Sequence, residues 1–462
     1  MTDLPRFDRK MSDAEALMWR VENDPHLSST FANITILDSH PDLDRLRRRM
    51  ERVVHAIPRL RQRVQSAPAN LTSPVWVEDP DFDLNYHIRH LALPKPGNMR
   101  QLLDLASLIA CDPFDRTRPL WQFIVVDGLR GAKSALIEKL HHAIVDGEGG
   151  VALSLQFLDL ERHPPELPPL DPDVIAAAEA GAAQAPGPDL LRDLLSGSMR
   201  MPLGLLKQVK GLLADPTAIP EAGSSAADTV RTIVQQLNET EPALSPLWTQ
   251  RSLRRRIEVL RTPFEATRDA ARRLGGTVNT ALLACAADAA GDYHRRLGAP
   301  VEELRASMAI STRSEASGAN AFSLARMTVP TGEMPIGERF AAIHNAADAA
   351  RQTSASASLE TIATVAASLP TGLITRIARQ QAHTVDFATS NVHGAPVPLF
   401  LAGAQLMENY PVGPLGGVAY NLTLLSYNHS LDMGLNSDAA AVTEPELLRS
   451  CLERAFKSLS TA

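Results

Sequence analysis

Ala135 to Gly147 reads ALIEKLHHAIVDG. Ala135 to Leu140 is short and rich in branched residues, as strands are, and it runs into two consecutive histidines, His141 and His142. Neighbouring strand residues point to opposite faces, so only one histidine faces a given cleft. The other faces the packing side, where it requires a hydrogen-bond partner. Asp146 and Gly147 come just ahead of Val151 to Leu160, which reads as a helix with Val151, Leu155 and Leu158 on one face. A carboxylate in that position caps a helix, or fixes the loop and with it the histidine. Gly147 permits a backbone angle or a close approach that a side chain would block. A neutral imidazole, with a reference pKa of about 6.5, is a good general base at neutral pH. A buried structural histidine is the usual reading of a lone His; two of them followed by Asp-Gly at a strand-to-loop junction point to catalysis.

Upstream, Phe123 to Asp127 (FIVVD) is a second strand, joined to the first through the turn-like Gly128 to Lys133 (GLRGAK). Leu43 to Ile57 has the apolar spacing of a helix, with arginines on its other face. The chain has 462 residues, enough for two or three structural units. Its 44% apolar and 21% charged residues exclude a mostly disordered chain and a polytopic membrane protein. A net charge of −7 and 5% aromatics argue against a nucleic-acid groove. Cys111, Cys285 and Cys451 are odd in number and widely spaced, which suggests no disulfide framework and a reducing cytoplasm. The opening residues carry acids and bases without an apolar core, so no secretory signal is expected. No uncharged apolar run reaches the roughly 20 residues that span a bilayer, so any membrane contact is expected to be peripheral.

Between His163 and Asp189 the chain is crowded with Pro, Ala and Asp and reads as a linker or crossover. Leu190 to Leu213 follows, with Leu206, Val209 and Leu213 on one stripe. It reads as an interfacial lipid-touching helix or as a helix packed on its own protein. A second α/β unit starts near Ser252. Helices are expected at Thr262 to Leu274 and Val278 to Leu297. Strands are expected at Ala306 to Ile310, Met327 to Val329, Pro398 to Leu401 and Tyr420 to Tyr427. The alternation is too irregular for a simple doubly wound sheet. There is no Gly-x-Ser-x-Gly elbow, no His-Glu-x-x-His, no phosphate loop and no dinucleotide fingerprint. No metal is therefore expected.

The His-His-x-x-x-Asp-Gly signature at His141 to Gly147 is shared with the CoA-dependent acyltransferase superfamily, condensation domains of nonribosomal peptide synthesis included. Other segments resemble one branch of it, the bacterial wax ester synthase/diacylglycerol acyltransferases. These are Pro119-Leu120-Trp121, Val278-Asn279-Thr280, Ser390-Asn391-Val392-His393-Gly394, and the run from Tyr410-Pro411-Val412 through Asn421 to Ser426-Tyr427. Two positions depart from that family's pattern: Thr280 stands in place of Asp, and His393 in place of Pro.

The resemblance implies an α/β (α+β) fold with two pseudo-symmetric acyltransferase-like domains, residues 1–162 and 226–462, and a tunnel between them. Residues 163–225 form the linker. It implies acyl-CoA as donor and diacylglycerol or a long-chain fatty alcohol as acceptor. His142 is the implied base for direct attack on the thioester, with no acyl-enzyme and no cofactor. Asp146 is implied as a structural partner of an arginine rather than a proton carrier. A location in the cytoplasm, peripheral to the inner membrane or lipid droplets, follows from these substrates. Asn391 is a candidate oxyanion donor or an Asx-turn residue. Asn279 lines the site or caps its helix. Trp121 and Pro119 are expected to shape the tunnel or lock the strand. Arg251 to Arg256 and Arg313 are candidate partners of the CoA phosphates or members of a solvated charged run. A condensation-type enzyme fed by a carrier protein and a non-catalytic acyl-CoA-binding relative are the competing readings.

Overall fold

The computed structural model describes residues 9–66, 73–165, 242–311, 322–354, 363 and 371–462. The first half of the chain contains α1 (Asp13–Val21), β1 (Thr30–Leu37), α2 (Leu43–Ala56), β2 (Gln62–Gln65), β3 (Val75–Glu78), α3 (Leu84–His87), β4 (Ile88–Ala92), α4 (Met99–Cys111), β5 (Trp121–Leu129), β6 (Lys133–His141) and α5 (Gly147–Ser154). The second half contains β7 (Arg255–Pro263), α6 (Phe264–Arg273), α7 (Val278–Arg296), β8 (Glu303–Ser311), β9 (Phe322–Pro330), α8 (Ile336–Ser354), α9 (Thr371–Ala382), β10 (Phe387–His393), β11 (Phe400–Leu401), β12 (Ala404–Val412), β13 (Tyr420–Tyr427), β14 (Ser430–Asp438) and α10 (Pro445–Ser460).

Local chemistry explains most of these boundaries. Ser12 and Glu15 close a reciprocal capping box on α1, and Asp42 caps α2 through the Arg45 N–H. The β5–β6 hairpin turns through the glycine-rich segment, with Trp121 opposite Leu140. Several boundaries differ from expectation, among them the strand expected at Met327 to Val329, which spans Phe322–Pro330, and two have a local cause. The helix after the histidines is Gly147–Ser154, not Val151–Leu160, because Asp146 starts it and the chain turns out of it at Leu155. Thr262 and Pro263 belong to β7, where they pair with Leu431 and Ser430, so the following helix starts only at Phe264.

Among the described residues twelve strands form two six-stranded mixed sheets, and β2 and β3 pair in a separate two-stranded sheet. The first has the order β11-β12-β1-β6-β5-β4 and the second β7-β14-β13-β10-β8-β9. This is the two-part α/β architecture that the resemblance implied, with one exchange across the expected boundary. Residues 400–412 leave the second half and join the first sheet: β12 pairs antiparallel with β1, Thr35 opposite Asn409, and β11 pairs with β12 at the edge. Of the linker 163–225, only residues 163–165 are described; Leu190 to Leu213 lies outside the described residues.

The sheets meet at close range. A Cβ at Gly434, in the middle of β14, would lie 2.0 Å from the Pro411 carbonyl oxygen of β12. The α4 helix also crosses to β7, where Ser107 Oγ donates to the Arg255 carbonyl and Arg100 donates to the Ile257 carbonyl. One apolar core packs α4 against β1, β5 and β6, and each half has a main core besides. That of the second half is built around the alanine-rich face of α7.

Candidate active site

The two histidines take the opposite faces that strand geometry requires. His141 is buried on the packing side. Its Nδ1 accepts the Ala143 N–H at 2.9 Å, so the ring hydrogen sits on Nε2, which donates to Glu22 at 2.5 Å. Glu22 also accepts from the Ser28 hydroxyl at 2.7 Å and the Ser29 N–H at 3.0 Å. Burial pushes the Glu22 carboxyl upward, but the hydrogen bonds from His141, Ser28 and Ser29 outweigh it and hold it at about 2. The Ser29 carbonyl in turn accepts the His142 N–H at 3.1 Å. Glu22 therefore braces one histidine by its ring and the other by its backbone. Nothing in the sequence pattern singled it out, since it is one acid among many at a helix end.

His142 faces a cavity of about 870 Å³ between the two sheets. Phe31 packs on its ring, with centroids 4.6 Å apart. Burial is the main cause that brings its pKa down to about 4, helped by the neighbouring His141 and opposed by Asp146, Glu22 and a hydrogen bond with the Val145 backbone. The imidazole is therefore neutral at pH 7, the state in which it accepts a proton.

Asp146 is the N-cap of α5 and accepts the Gly149 N–H at 2.7 Å. Gly147 is a close-approach glycine: a Cβ there would lie 3.0 Å from Val392 Cγ2 on β10. The signature thus docks the first half of the chain against the second at the cavity wall. The C-terminal segments of the resemblance reach the same place, since Asn391, Pro411, Val412, Pro414 and Asn421 all line the cavity.

Other expected site residues lie elsewhere. Trp121 and Pro119 are buried in the core and do not line the cavity. The Trp121 ring stacks on His87 with centroids 4.5 Å apart, and its Nε1 donates to the Leu60 carbonyl. The Pro-Leu-Trp segment acts instead through its backbone: the Leu120 carbonyl accepts the His141 N–H and so anchors the end of β6. Asn279 and Asn391 meet each other, Asn391 Nδ2 donating to Asn279 Oδ1 at 2.5 Å. Strand alternation puts Asn391 on the opposite side of β10 from Val392, with one amide hydrogen already committed. The cap of α7 is Thr277, not Asn279. Thr280 is buried, with its hydroxyl 3.4 Å from His344 Nδ1, and His393 is exposed at the end of β10. Three of the four arginines of the run, Arg251, Arg255 and Arg256, are engaged by other groups of the protein, and Arg254 is exposed. Arg251 donates to the Gly417 and Trp248 carbonyls, Arg255 pairs with Asp438, and Arg256 pairs with Glu258 and Glu446. Arg313 lies outside the described residues. Among the described residues one cluster has a metal-type donor set, His40 and His90 on either side of Asp127, and none of its members lines the cavity.

Residues 11–282 match the wax ester synthase/diacylglycerol acyltransferase catalytic domain, and residues 318–460 match the C-terminal domain of the same family. A putative diacylglycerol O-acyltransferase of Mycobacterium tuberculosis is 32% identical over 98% of this chain and 92% of its own. The chain belongs to the wax ester synthase/diacylglycerol acyltransferase family. A second M. tuberculosis relative, also a putative diacylglycerol O-acyltransferase, is 30% identical over 94% of this chain and 93% of its own. Among solved structures, the Marinobacter aquaeolei VT8 wax ester synthase/diacylglycerol acyltransferase superposes with a TM-score of 0.66 at 23% identity, over 98% of this chain and 99% of that one. The starter condensation domain of rhizomide synthetase superposes with a TM-score of 0.56 at 13% identity, over 98% and 94%. These two likenesses concern the fold. Family membership makes the protein an acyltransferase that uses acyl-CoA.

Proposed function

We propose that this acyltransferase esterifies diacylglycerol, a long-chain fatty alcohol or both, with His142 as general base. The observation that carries the reading is the neutral, partly enclosed His142 ring at the wall of a largely apolar cavity formed by both sheets. The acceptor O–H gives its proton to His142 as its oxygen attacks the thioester carbonyl. The C–S bond breaks, and the departing CoA thiolate takes the proton back from the imidazolium. No acyl-enzyme forms, and the chemistry calls for no resident cofactor. A thioester is already activated, so one positioned base and a dry site account for most of what the protein supplies. The base contributes about 10²–10⁴-fold.

The same reading puts the protein at the surface of the inner membrane or of a lipid droplet, on its cytoplasmic side, since acceptor and product both partition into lipid. Among the described residues no helix is long and apolar enough to cross a membrane.

The test is thiol release from oleoyl-CoA with dioleoylglycerol and with hexadecanol, in the absence of any carrier protein. Release that depends on an alcohol supports the reading. Acyl transfer only from a carrier-bound thioester would replace it with a condensation-type function. Flotation with anionic vesicles checks the peripheral location.

A further inference from the structure

The cavity contains a polar patch that the proposed chemistry does not use. Inward-facing positions of three adjacent strands of the first sheet bring together Glu138 on β6, Asn33 and Thr35 on β1, and Asn409 on β12. Asn33 Nδ2 shares its two hydrogens among Glu138 at 2.7 Å, Asn409 Oδ1 at 2.6 Å and Thr35 Oγ1 at 3.2 Å. Ser154, at the end of α5, donates to the other Glu138 oxygen at 2.9 Å. Burial raises the Glu138 pKa. Two groups stay open. Among the described residues, Asn409 Nδ2 has no acceptor and Asn33 Oδ1 has no donor, and both half-buried side chains line the cavity. An open donor and an open acceptor side by side in an apolar chamber are costly unless a ligand meets them.

The position of the patch limits what that ligand is. Glu138 precedes His142 by four residues, roughly 13 Å at a strand's rise of about 3.3 Å per residue. Leu140 and Phe31 fill the interval. Beyond the patch the walls are apolar again, with Leu401, Leu406 and Phe157. The chamber therefore reads apolar, polar, apolar along its length.

We propose that Asn33, Glu138 and Asn409 bind a hydroxyl or keto oxygen carried part-way along a lipid chain whose reacting end lies at His142. The inference deepens the acyltransferase reading and rests on it. The oxygenated chain enters either as the acyl group of the donor or as the alcohol of the acceptor. The chemistry of recognition is the same in both, so the test has two arms.

In the donor arm, ricinoleoyl-CoA, which bears a mid-chain hydroxyl, is compared with oleoyl-CoA against hexadecanol. In the acceptor arm, ricinoleyl alcohol is compared with oleyl alcohol against palmitoyl-CoA. The expected result is a preference for the hydroxylated chain of about tenfold in kcat/KM in one arm. Asn409→Leu should bring that ratio close to one, while Glu138→Gln, whose amide oxygen can still accept from Asn33 Nδ2, should preserve it. Asn409→Thr removes the amide donor while keeping a strand-forming side chain, and it repeats the test if the Leu variant fails to fold. A wild-type ratio of one or below in both arms overturns the proposal. So does a preference that survives loss of the Asn409 amide, which would make the patch a purely structural network. Turnover of oleoyl-CoA with dioleoylglycerol is the separate control: its failure sinks the acyltransferase reading, whereas its success without hydroxyl preference sinks this inference alone.

Discussion

His142 and Glu22 divide the work at the active site between reaction and support. The ring at 142 is kept neutral chiefly by removal from water, down to about 4, so its proton-accepting form persists through mildly acidic conditions. Replacing His142 by Ala should lower ester formation by about 10²–10⁴-fold while acyl-CoA binding survives; undiminished turnover would refute the role. The wild-type kcat/KM should stay level as pH falls from 7 and break only as it approaches 4. A break near 6.5 would mean that the ring is solvated. Glu22 acts through its neighbours. Glu22→Ala removes the acceptor that both the His141 Nε2–H and the Ser29 N–H use, and His141 Nδ1 is held by Ala143, so the ring cannot change tautomer without losing that bond. A fall in kcat of roughly tenfold, with KM little changed, is the expected signature of lost positioning. A proportionate rise in KM with kcat intact would contradict it.

Helix α5 shows how one short element carries two constraints. Its N-cap Asp146 secures the first turn, and its first residue touches β10 so closely that only glycine fits without adjustment. Asp146→Ala should cost about 1 kcal/mol in denaturant unfolding, and Asp146→Asn should recover most of it, because Asn caps a helix equally well without the charge. An Asn variant as unstable as the Ala variant would shift the role of Asp146 from capping to electrostatics. At the next position, Gly147→Ala pushes against Val392, and a shorter side chain in Val392→Ala makes room for it. The pair should be coupled, the double variant being more active than Gly147→Ala alone.

The assembled molecule joins its halves by exchanging β11 and β12 into the first sheet and by packing β12 directly on β14. Gly434→Ala would set a methyl group against the Pro411 carbonyl, backbone that cannot swing aside, so a marked fall in melting temperature is expected. Acid should destabilise the whole structure in a definite window. The histidines His142 and His87, both lowered by burial to about 4, take up protons in the unfolded chain near 6.5 while the folded protein resists. Their contribution is fully present above 6.5 and is lost as pH falls towards 4. Glu22, held at about 2, adds a further loss between its ordinary value and 2. Asp432 works the other way, since burial raises it to about 6 and protonation of the folded state is favoured below that. His26, His294 and His383 are lowered in the same sense as the two histidines, and Glu138, Asp159 and Asp288 are raised in the same sense as Asp432. The histidines take up their protons in the unfolded chain nearest neutrality, so net destabilisation is expected as pH falls from 6.5 towards 4, measurable by chemical unfolding across that range. Constant stability there would mean that the two imidazoles are not buried.

Much of this was legible in the residues. Alternating faces of a strand dictate that only one of two adjacent histidines meets the cleft, and Asp-Gly at a strand end announces a cap and a close approach. Both follow from short-range geometry, so sequence suffices for them. Long-range placement was not legible. Trp121 reads as shaping a tunnel or locking its strand, and it packs on His87 away from the cavity; the arginines read as phosphate partners or as a solvated run, and Arg251, Arg255 and Arg256 meet Asp438, Glu258, Glu446 and carbonyls. Glu22 with His141, the Asn279–Asn391 pair, and the patch at Asn33, Glu138 and Asn409 join residues separated by as many as 376 positions. Strand periodicity says which way those of these side chains that lie on strands point. Which partner it meets depends on strand order and on the return of residues 400–412 to the first sheet, and those are set by burial of apolar surface across the whole chain.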